Sequence, residues 1–445
     1  MKFINTRFQS GYEKFTPQSF LEYGKPLYIQ DVAEETLNGA NQNSEITGID
    51  KYGYRLLPIV ASKPGLWIHN KDDNAYVSQY LDYLTTVSGV ENQIETLGIE
   101  LDNQSLTQAA LNNLQQIEEY NCESIIPFIM SESSELIADL LNLACFERNS
   151  NSEKLNNKGL FLEMCKVKGV KTPYGSTYKT PEQAWDLYKE LENKGAIAFY
   201  SKLSRSASGQ GIRQFHYENP NTQENFKSYL TNQDTISNME QYGIRMDEAI
   251  MFDQSPAIVF WMCPRTGIQV VNSNYQVLAK KNESDLNPTI HKGAMGPLTY
   301  HELQDLDYTI QKTEEILKEN HCYGPGSIDL ISRKNPLTRT SEHFVVEMNK
   351  RITGGYHNYL AQKFGFSYFR SDCNMHCPSH VSFNSLISYL DQNNLLWTES
   401  KNSGTFVINY QTAPVYEKIA IISLGQSKEE AQEVYNQTQE LISKL

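Results

Sequence analysis

No stretch of this sequence approaches the roughly 20 consecutive apolar residues that a membrane span needs. Its opening run, MKFINTRFQSGYEKF, has no apolar core of the kind a secretory leader carries. A cytoplasmic protein is the expectation. Basic charge is scarce too: 39 Lys and Arg stand against 53 Asp and Glu, a formal net charge of −14. Such a surface repels nucleic acid and anionic membranes, although a local cationic cleft can still hold phosphates inside it. The 7 cysteines are odd in number and scattered, which argues against a disulfide framework. No internal repeat, low-complexity tract or convincing Ser/His/Asp set stands out. The chain does have bulk. Its 445 residues, 39% hydrophobic and 11% aromatic, suit two or three folded domains of roughly 100–200 residues each.

The first third has α/β rhythm. Arg55 to His69 reads as strand, turn, strand; Leu106 to Tyr120 as an amphipathic helix; Ser124 to Met130 as a buried strand; Ser131 to Asp139 as a capped helix start. The Asn-rich stretch Glu147 to Lys158 is polar and turn-prone and reads as a boundary. Beyond it, Gly159 to Val167 is helical until Gly169-Val-Lys-Thr-Pro173 breaks it. Thr180 and Pro181 start a helix that runs to Asn193, and Ala196 to Lys202 is a strand. Strands are also predicted at Ala257 to Met262, Ile268 to Asn272, both arms of Gly326 to Asn349, and Lys418 to Leu424, before a terminal helix from Lys428.

The chemistry concentrates late. Ser327-Ile-Asp-Leu330 presents Asp329 on one strand face, and Phe344-Val-Val-Glu-Met-Asn349 presents Glu347 and Asn349 together on another. If the strands are neighbours, the three oxygen-bearing side chains converge in a set that suits Mg²⁺. Arg351 continues the alternation with a fork able to grip phosphate or carboxylate. Thr353-Gly-Gly355 adds backbone N–H groups at close approach. A hairpin with a solvated polar face reads the same way. Upstream, a strand delivers Lys202 into KLSRSASGQGI, whose Ser204, Ser206, Ser208, Gly209 and Gly211 suit a loop over phosphates or an ordinary turn. Lys158 precedes a helix, and Met246 to Phe252 is an acidic-then-apolar segment that fits an adenine-side hinge or a core strand. Cys373, His376, Cys377 and His380 have C-x2-H-C-x2-H spacing, which would align on a helix as zinc ligands, but Pro378 interrupts such a helix.

In order, these elements resemble the ATP-grasp superfamily over roughly residues 155–360. The resemblance implies an α/β (α+β) architecture: a Rossmann-like pre-ATP-grasp domain at 1–150, an ATP-grasp domain at 151–375 whose lid spans about 172–247 and whose lobes sandwich the nucleotide, and a small C-terminal subdomain at 376–445. It implies ATP, and Mg²⁺ with Mn²⁺ as a substitute. Lys158 and Lys202 would contact phosphates, and Ser206 to Gly211 would cover them. Glu248, Ala249 and Ile250 would form the hinge, with Asp253 the sole counterpart of the family's ribose-side acid. Asp329, Glu347 and Asn349 would bind the metal, and Arg351 would hold the reacting phosphate or the acyl substrate and, with Lys202, serve catalysis. Lys280, Lys281, His291, Lys292, Gly354 and Gly355 match substrate-facing positions by place alone. The tail, SLGQSKEEAQEVYNQ, is similar to that of pheganomycin-type peptide ligases. The implied reaction phosphorylates a small-molecule or peptide carboxylate and lets an amine displace phosphate. A carrier-protein thiol in place of the amine, a nucleotide-binding protein without catalysis, and a homodimer are the further readings.

Overall fold

The computed structural model describes residues 24–32, 49–204, 211–280, 283, 285–335 and 340–445. Its first sheet holds β1 (Pro26–Ile29), β2 (Gly65–Asn70), β3 (Ile94–Ile99) and β4 (Ser124–Pro127), in the order β3-β2-β1-β4. All neighbours are parallel. Parallel strands are covered on both faces, so β1, β2 and β4 are buried along almost their whole length rather than at alternate residues. Leu27, Ile29, Leu66, Ile68 and Ile125 accordingly pack on one side with Ala110 and Ile137, while Tyr28, Trp67 and Ile126 pack on the other.

Two sequence expectations are corrected in this region. Arg55 to Val60 is helical, a 3-10 turn over Ile49–Leu56 running into Leu57–Val60. The apolar Leu-Pro-Ile-Val reads as a strand, but Pro58 sits in a first helical turn, where its missing N–H costs nothing. The Asn-rich boundary segment is likewise a helix, Asn149–Asn156. The predicted helix from Leu106 divides at Asn113 into Leu106–Asn112 and Leu114–Glu118. Ser131 caps the helix Glu132–Leu140 as its sequence predicts, accepting from Ser134 N.

The second sheet is antiparallel, β5 (Gly175–Tyr178), β6 (Ala198–Leu203), β7 (Ile212–His216) and β8 (Ile244–Glu248) in the order β5-β8-β6-β7. Helix Pro181–Asn193, with Thr180 accepting from Gln183 N, covers it over an aromatic core of Phe199, Phe215 and Phe226. The third sheet has eight strands: β9 (Pro256–Cys263), β10 (Gly267–Ala279), β11 (Ile290–Gly296), β12 (Gly324–Lys334), β13 (Ser341–Asn349), β14 (Tyr368–His376), β15 (Gly404–Asn409) and β16 (Lys418–Gly425). Their order is β13-β12-β9-β10-β11-β14-β16-β15, so one sheet continues past residue 375.

The first and last parts of the chain share a core. Tyr80 and Tyr83, on helix Asn74–Ser88, reach β15: Tyr80 donates to Val407 O at 2.9 Å, and Tyr83 Oη accepts from Val407 N at 2.9 Å. Tyr80 is fully buried against Tyr76 and Phe383. Tyr80→Ala is therefore expected to lower unfolding free energy by about 3–5 kcal/mol, the usual cost of deleting a buried aromatic side chain. Urea titration followed by tryptophan fluorescence measures it.

Candidate active site

The late strands meet as their alternation predicts. In the β12–β13 register Asp329 faces Glu347 and Ser327 faces Asn349. A bulge follows directly, leaving Val346 unpaired between Glu347 and Val345. It switches the alternation: Val345 and Met348 join the core with Ile328 and Leu330, whereas Val346, Glu347 and Asn349 line a cleft of about 310 Å³ with Ser327, Asp329 and Arg351. Bulges re-aim side chains in this way. Asn349 Nδ2 donates to Asp329 Oδ2 at 3.1 Å, and Arg351 Nη2 donates to Asn349 Oδ1 at 2.8 Å. The Lys158 ammonium lies 3.1 Å from Glu347 Oε1.

Burial, and then the negative charge of Glu347, push the Asp329 carboxyl up to about 7; Gln276, Arg351 and Lys158 offset this in part. Two carboxylates set opposite each other in a partly buried cleft repel unless a cation joins them. The donor set is all oxygen, and Mg²⁺ typically takes one or two carboxylates and completes its shell with phosphate and water. The residues present therefore fit that ion.

Lys202, at the end of β6, is buried. Its ammonium lies 3.1 Å from Asp247 Oδ2, and Asp247 is itself held by Arg245 Nε at 2.6 Å. Both lysines of the expected phosphate site thus already sit in carboxylate pairs. Ser206, Ser208, Gly209 and Lys281 lie outside the described residues. Their flanks are defined: Leu203 N donates to Gly211 O at 3.1 Å, and Ser204 O accepts from Lys158 N at 3.1 Å, tying the hairpin to the helix Lys158–Val167. Gly211 has φ +72°, and a Cβ there would lie 2.7 Å from Leu203 Cδ1, so this position requires glycine.

Glu248 and Ile250 line the cleft beside Tyr200 and Phe252, whereas Ala249 packs behind them on Ala198 and Tyr200. Glu248 Oε1 accepts from Tyr174 N at 3.0 Å. Asp253 accepts from Lys334 N at 2.9 Å and so holds the β12 end. The cleft is also lined by His291, Gly354 and Gly355; Lys280 and Lys292 are exposed and do not line it. Gly355 lies so close to β9 that a Cβ would meet Val259 Cγ2 at 2.5 Å.

Sequence reasoning missed the ion pair beneath the site. Lys350, between Asn349 and Arg351, points away from the cleft and is fully buried. Its ammonium contacts Glu147 Oε2 at 2.8 Å and donates to Tyr323 O at 2.5 Å and Pro325 O at 3.0 Å. Its backbone is gripped by helix Asn149–Asn156: Asn156 Oδ1 accepts from Lys350 N at 2.7 Å, and Ser152 Oγ donates to Lys350 O at 3.1 Å. A signal did exist, because a lysine out of phase with Glu347, Asn349 and Arg351 must enter the core and find a counter-ion.

The Cys/His run does not come together. Cys373 and His376 lie on strand β14, not on a helix; His376 Nδ1 is 3.1 Å from Glu417 O, and His380 Nε2 is 3.2 Å from Leu445 O. Among the described residues no group of three or more His, Cys, Asp or Glu side chains is placed to hold a metal. None of the seven cysteines forms a disulfide. Among the described residues no helix is long and apolar enough to cross a membrane.

The three sheets together make the ATP-grasp fold, as the likeness to solved structures shows. It is similar over 93% of its length to 90% of a biotin carboxylase from Campylobacter jejuni solved with β,γ-ATP (TM-score 0.58, 12% identity). A Hydrogenobacter thermophilus 2-oxoglutarate carboxylase biotin carboxylase domain, solved as a dimer with MgADP, ADP and bicarbonate, is similar over 93% of this chain and 89% of its own (0.55, 14%). An L-amino acid ligase from Bacillus licheniformis is similar over 94% of this chain and 97% of its own (0.54, 12%). No family model matches the sequence, and no curated protein does either.

Proposed function

We propose that this chain is an ATP-dependent carboxylate–amine ligase that releases ADP and phosphate and builds an amide or peptide bond in small-molecule or peptide biosynthesis. The observation that carries this reading is the convergence of Asp329, Glu347 and Asn349 with Arg351 and Lys202 on one cleft. The amide-forming half also draws on the likeness to an L-amino acid ligase.

In this reading Asp329, Glu347 and Asn349 hold Mg²⁺, or Mn²⁺ in its place, which when bound neutralises phosphate charge. Lys158 and Lys202 exchange their carboxylate partners for ATP phosphates. Glu248, Ala249 and Ile250 form the adenine-side wall. Arg351 holds the substrate carboxylate in line with the γ-phosphate, since catalysis of phosphoryl transfer is chiefly positioning and charge neutralisation. Residues 172–247 act as a lid that excludes water, so that the acyl phosphate meets an amine instead of being hydrolysed. The carboxylate gains the γ-phosphoryl group as ADP leaves, and the amine then displaces phosphate.

ADP release measured against panels of carboxylic acids and amines, with and without a carrier protein, tests this. Release is expected to rise above the ATP-only rate with one acid–amine combination. Lys202→Ala is expected to raise the KM for ATP by about 10- to 100-fold, the worth of a charge-assisted hydrogen bond. Stimulation by an acid with a carrier and no amine would indicate a thioester product. ATP binding without stimulated turnover under any condition would sink the ligase reading.

A further inference from the structure

We propose that Arg55 forms a second anion subsite in the cleft, gripping a carboxylate or phosphate group that one substrate carries away from its reacting end. This deepens the ligase reading and rests on it.

Arg55 comes from the 3-10 turn Ile49–Leu56, not from the ATP-grasp strands, and its side chain lines the cleft. Its guanidinium stacks on the Tyr52 ring at 3.9 Å, which fixes its plane. One donor is used: Nη2 donates to Cys373 O at 3.0 Å. Its Nε is buried and has no partner. No carboxylate among the described residues pairs with Arg55. A buried guanidinium N–H without an acceptor carries a desolvation cost that an incoming oxyanion removes. An arginine with a fixed plane and donors to spare is suited to take such a group in two parallel hydrogen bonds.

The surroundings do not neutralise it. His291, His357, Asn274 and Asn358 line the cleft with it, the two imidazoles near enough to feel its charge. His357 Nδ1 and Asn274 Nδ2 are buried without partners, as is the acceptor Asn358 Oδ1. Burial, and then the Arg55 charge, hold both imidazoles neutral, with His291 down to about 4 and His357 well below the usual range. Neutral imidazoles add donors without adding charge, so the positive charge of Arg55 stays unbalanced. Arg351 differs, because it is built into the Asn349–Asp329 network beside Glu347.

The test varies the far group. Donors and acceptors are offered with a second carboxylate, with a phosphate in its place, or with that group capped as an amide. Stimulated ADP release is expected to require the free anion, the capped compound losing about 10- to 100-fold in kcat/KM. Whether carboxylate or phosphate restores it identifies the anion. Arg55→Gln is expected to remove the preference and to leave the ATP affinity, read by calorimetry with a non-hydrolysable analogue, unchanged. Arg55→Lys, which keeps the charge but loses the fork, is expected to retain part of the preference and guards against a folding defect in the first variant. If no compound stimulates wild-type ADP release, the ligase reading fails. Calorimetry of the same anionic compounds on wild type and Arg55→Gln then decides this proposal separately: weaker binding to the variant upholds it, and equal binding overturns it. An unchanged anion-to-amide ratio in an active Arg55→Gln enzyme also overturns it.

Discussion

Glu347→Gln is expected to lower kcat for substrate-stimulated ADP formation by roughly 10²–10³-fold, about 2.7–4 kcal/mol of transition-state stabilisation. The substitution keeps the shape of the side chain and an oxygen that accepts from Lys158, so the contact at 3.1 Å survives as a hydrogen bond. What it removes is the second carboxylate of the Asp329–Glu347 pair. With one acid left, the site has less charge to draw in Mg²⁺, and the phosphates lose part of their neutralisation. Asp329 should titrate lower in the metal-free variant, because the neighbouring negative charge that raises it is gone. The variant should remain folded, with a small change in melting temperature. Steady-state kinetics at several Mg²⁺ concentrations check the claim: extra Mg²⁺ should recover part of the lost rate. A variant as active as wild type would remove Glu347 from the site.

Glu147→Ala should lower stability by about 3–5 kcal/mol, because it strands a buried ammonium. The Lys350 side chain is 0% exposed and that of Glu147 is 2% exposed. Two backbone carbonyls still accept from Lys350, but they do not cancel its charge. Glu147→Gln is the gentler probe and carries a pH signature. Burial raises the Glu147 carboxyl to about 7, against the opposing pull of Lys350. A folded-state pKa above the unfolded one means the native state binds this proton more tightly. The stability it contributes is complete below about 4.5, the unfolded value, and is lost as the pH rises through about 7. Chemical denaturation across that window should show a shallower fall for Glu147→Gln than for wild type; equal slopes would contradict the assignment. Activity should suffer as well, since Lys350 fixes the backbone between Asn349 and Arg351, and a misplacement of about 1 Å in a catalytic group costs on the order of 10²-fold.

What was legible in the sequence was what neighbouring residues decide together. Thr180 followed by Pro181 marks a helix start because capping is a local hydrogen bond and proline suits a first turn. Glu347 and Asn349 share a face because strands have period two, and Asp329 joins them because a hairpin brings its arms together. The bulge at Val346 was not legible. Strict alternation puts Val345 on the Glu347 face, whereas the extra residue sends it to the core. Leu57 to Val60 shows the limit of short apolar runs: four buried residues read alike as strand or helical turn, and packing decided. Asn149–Asn156 looks like a linker because its work is polar, with Ser152 and Asn156 bonded to a lysine far along the chain. Arg55 belongs to the same class. Its place at the cleft depends on how the parallel-sheet region packs against the central sheet, which no local pattern encodes.

An acyl phosphate is the species that separates this chemistry from mere ATP binding, and hydroxylamine traps it. Wild-type protein should be incubated with ATP, Mg²⁺, hydroxylamine and a panel of carboxylic acids, and hydroxamate and nucleotide products measured together. ATP-grasp ligation on the Asp329–Glu347–Asn349 cleft predicts hydroxamate in step with ADP for at least one acid, and both products lowered together by roughly 10²–10³-fold with Glu347→Gln. AMP as the nucleotide product, or hydroxamate formed equally well by Glu347→Gln, would contradict it.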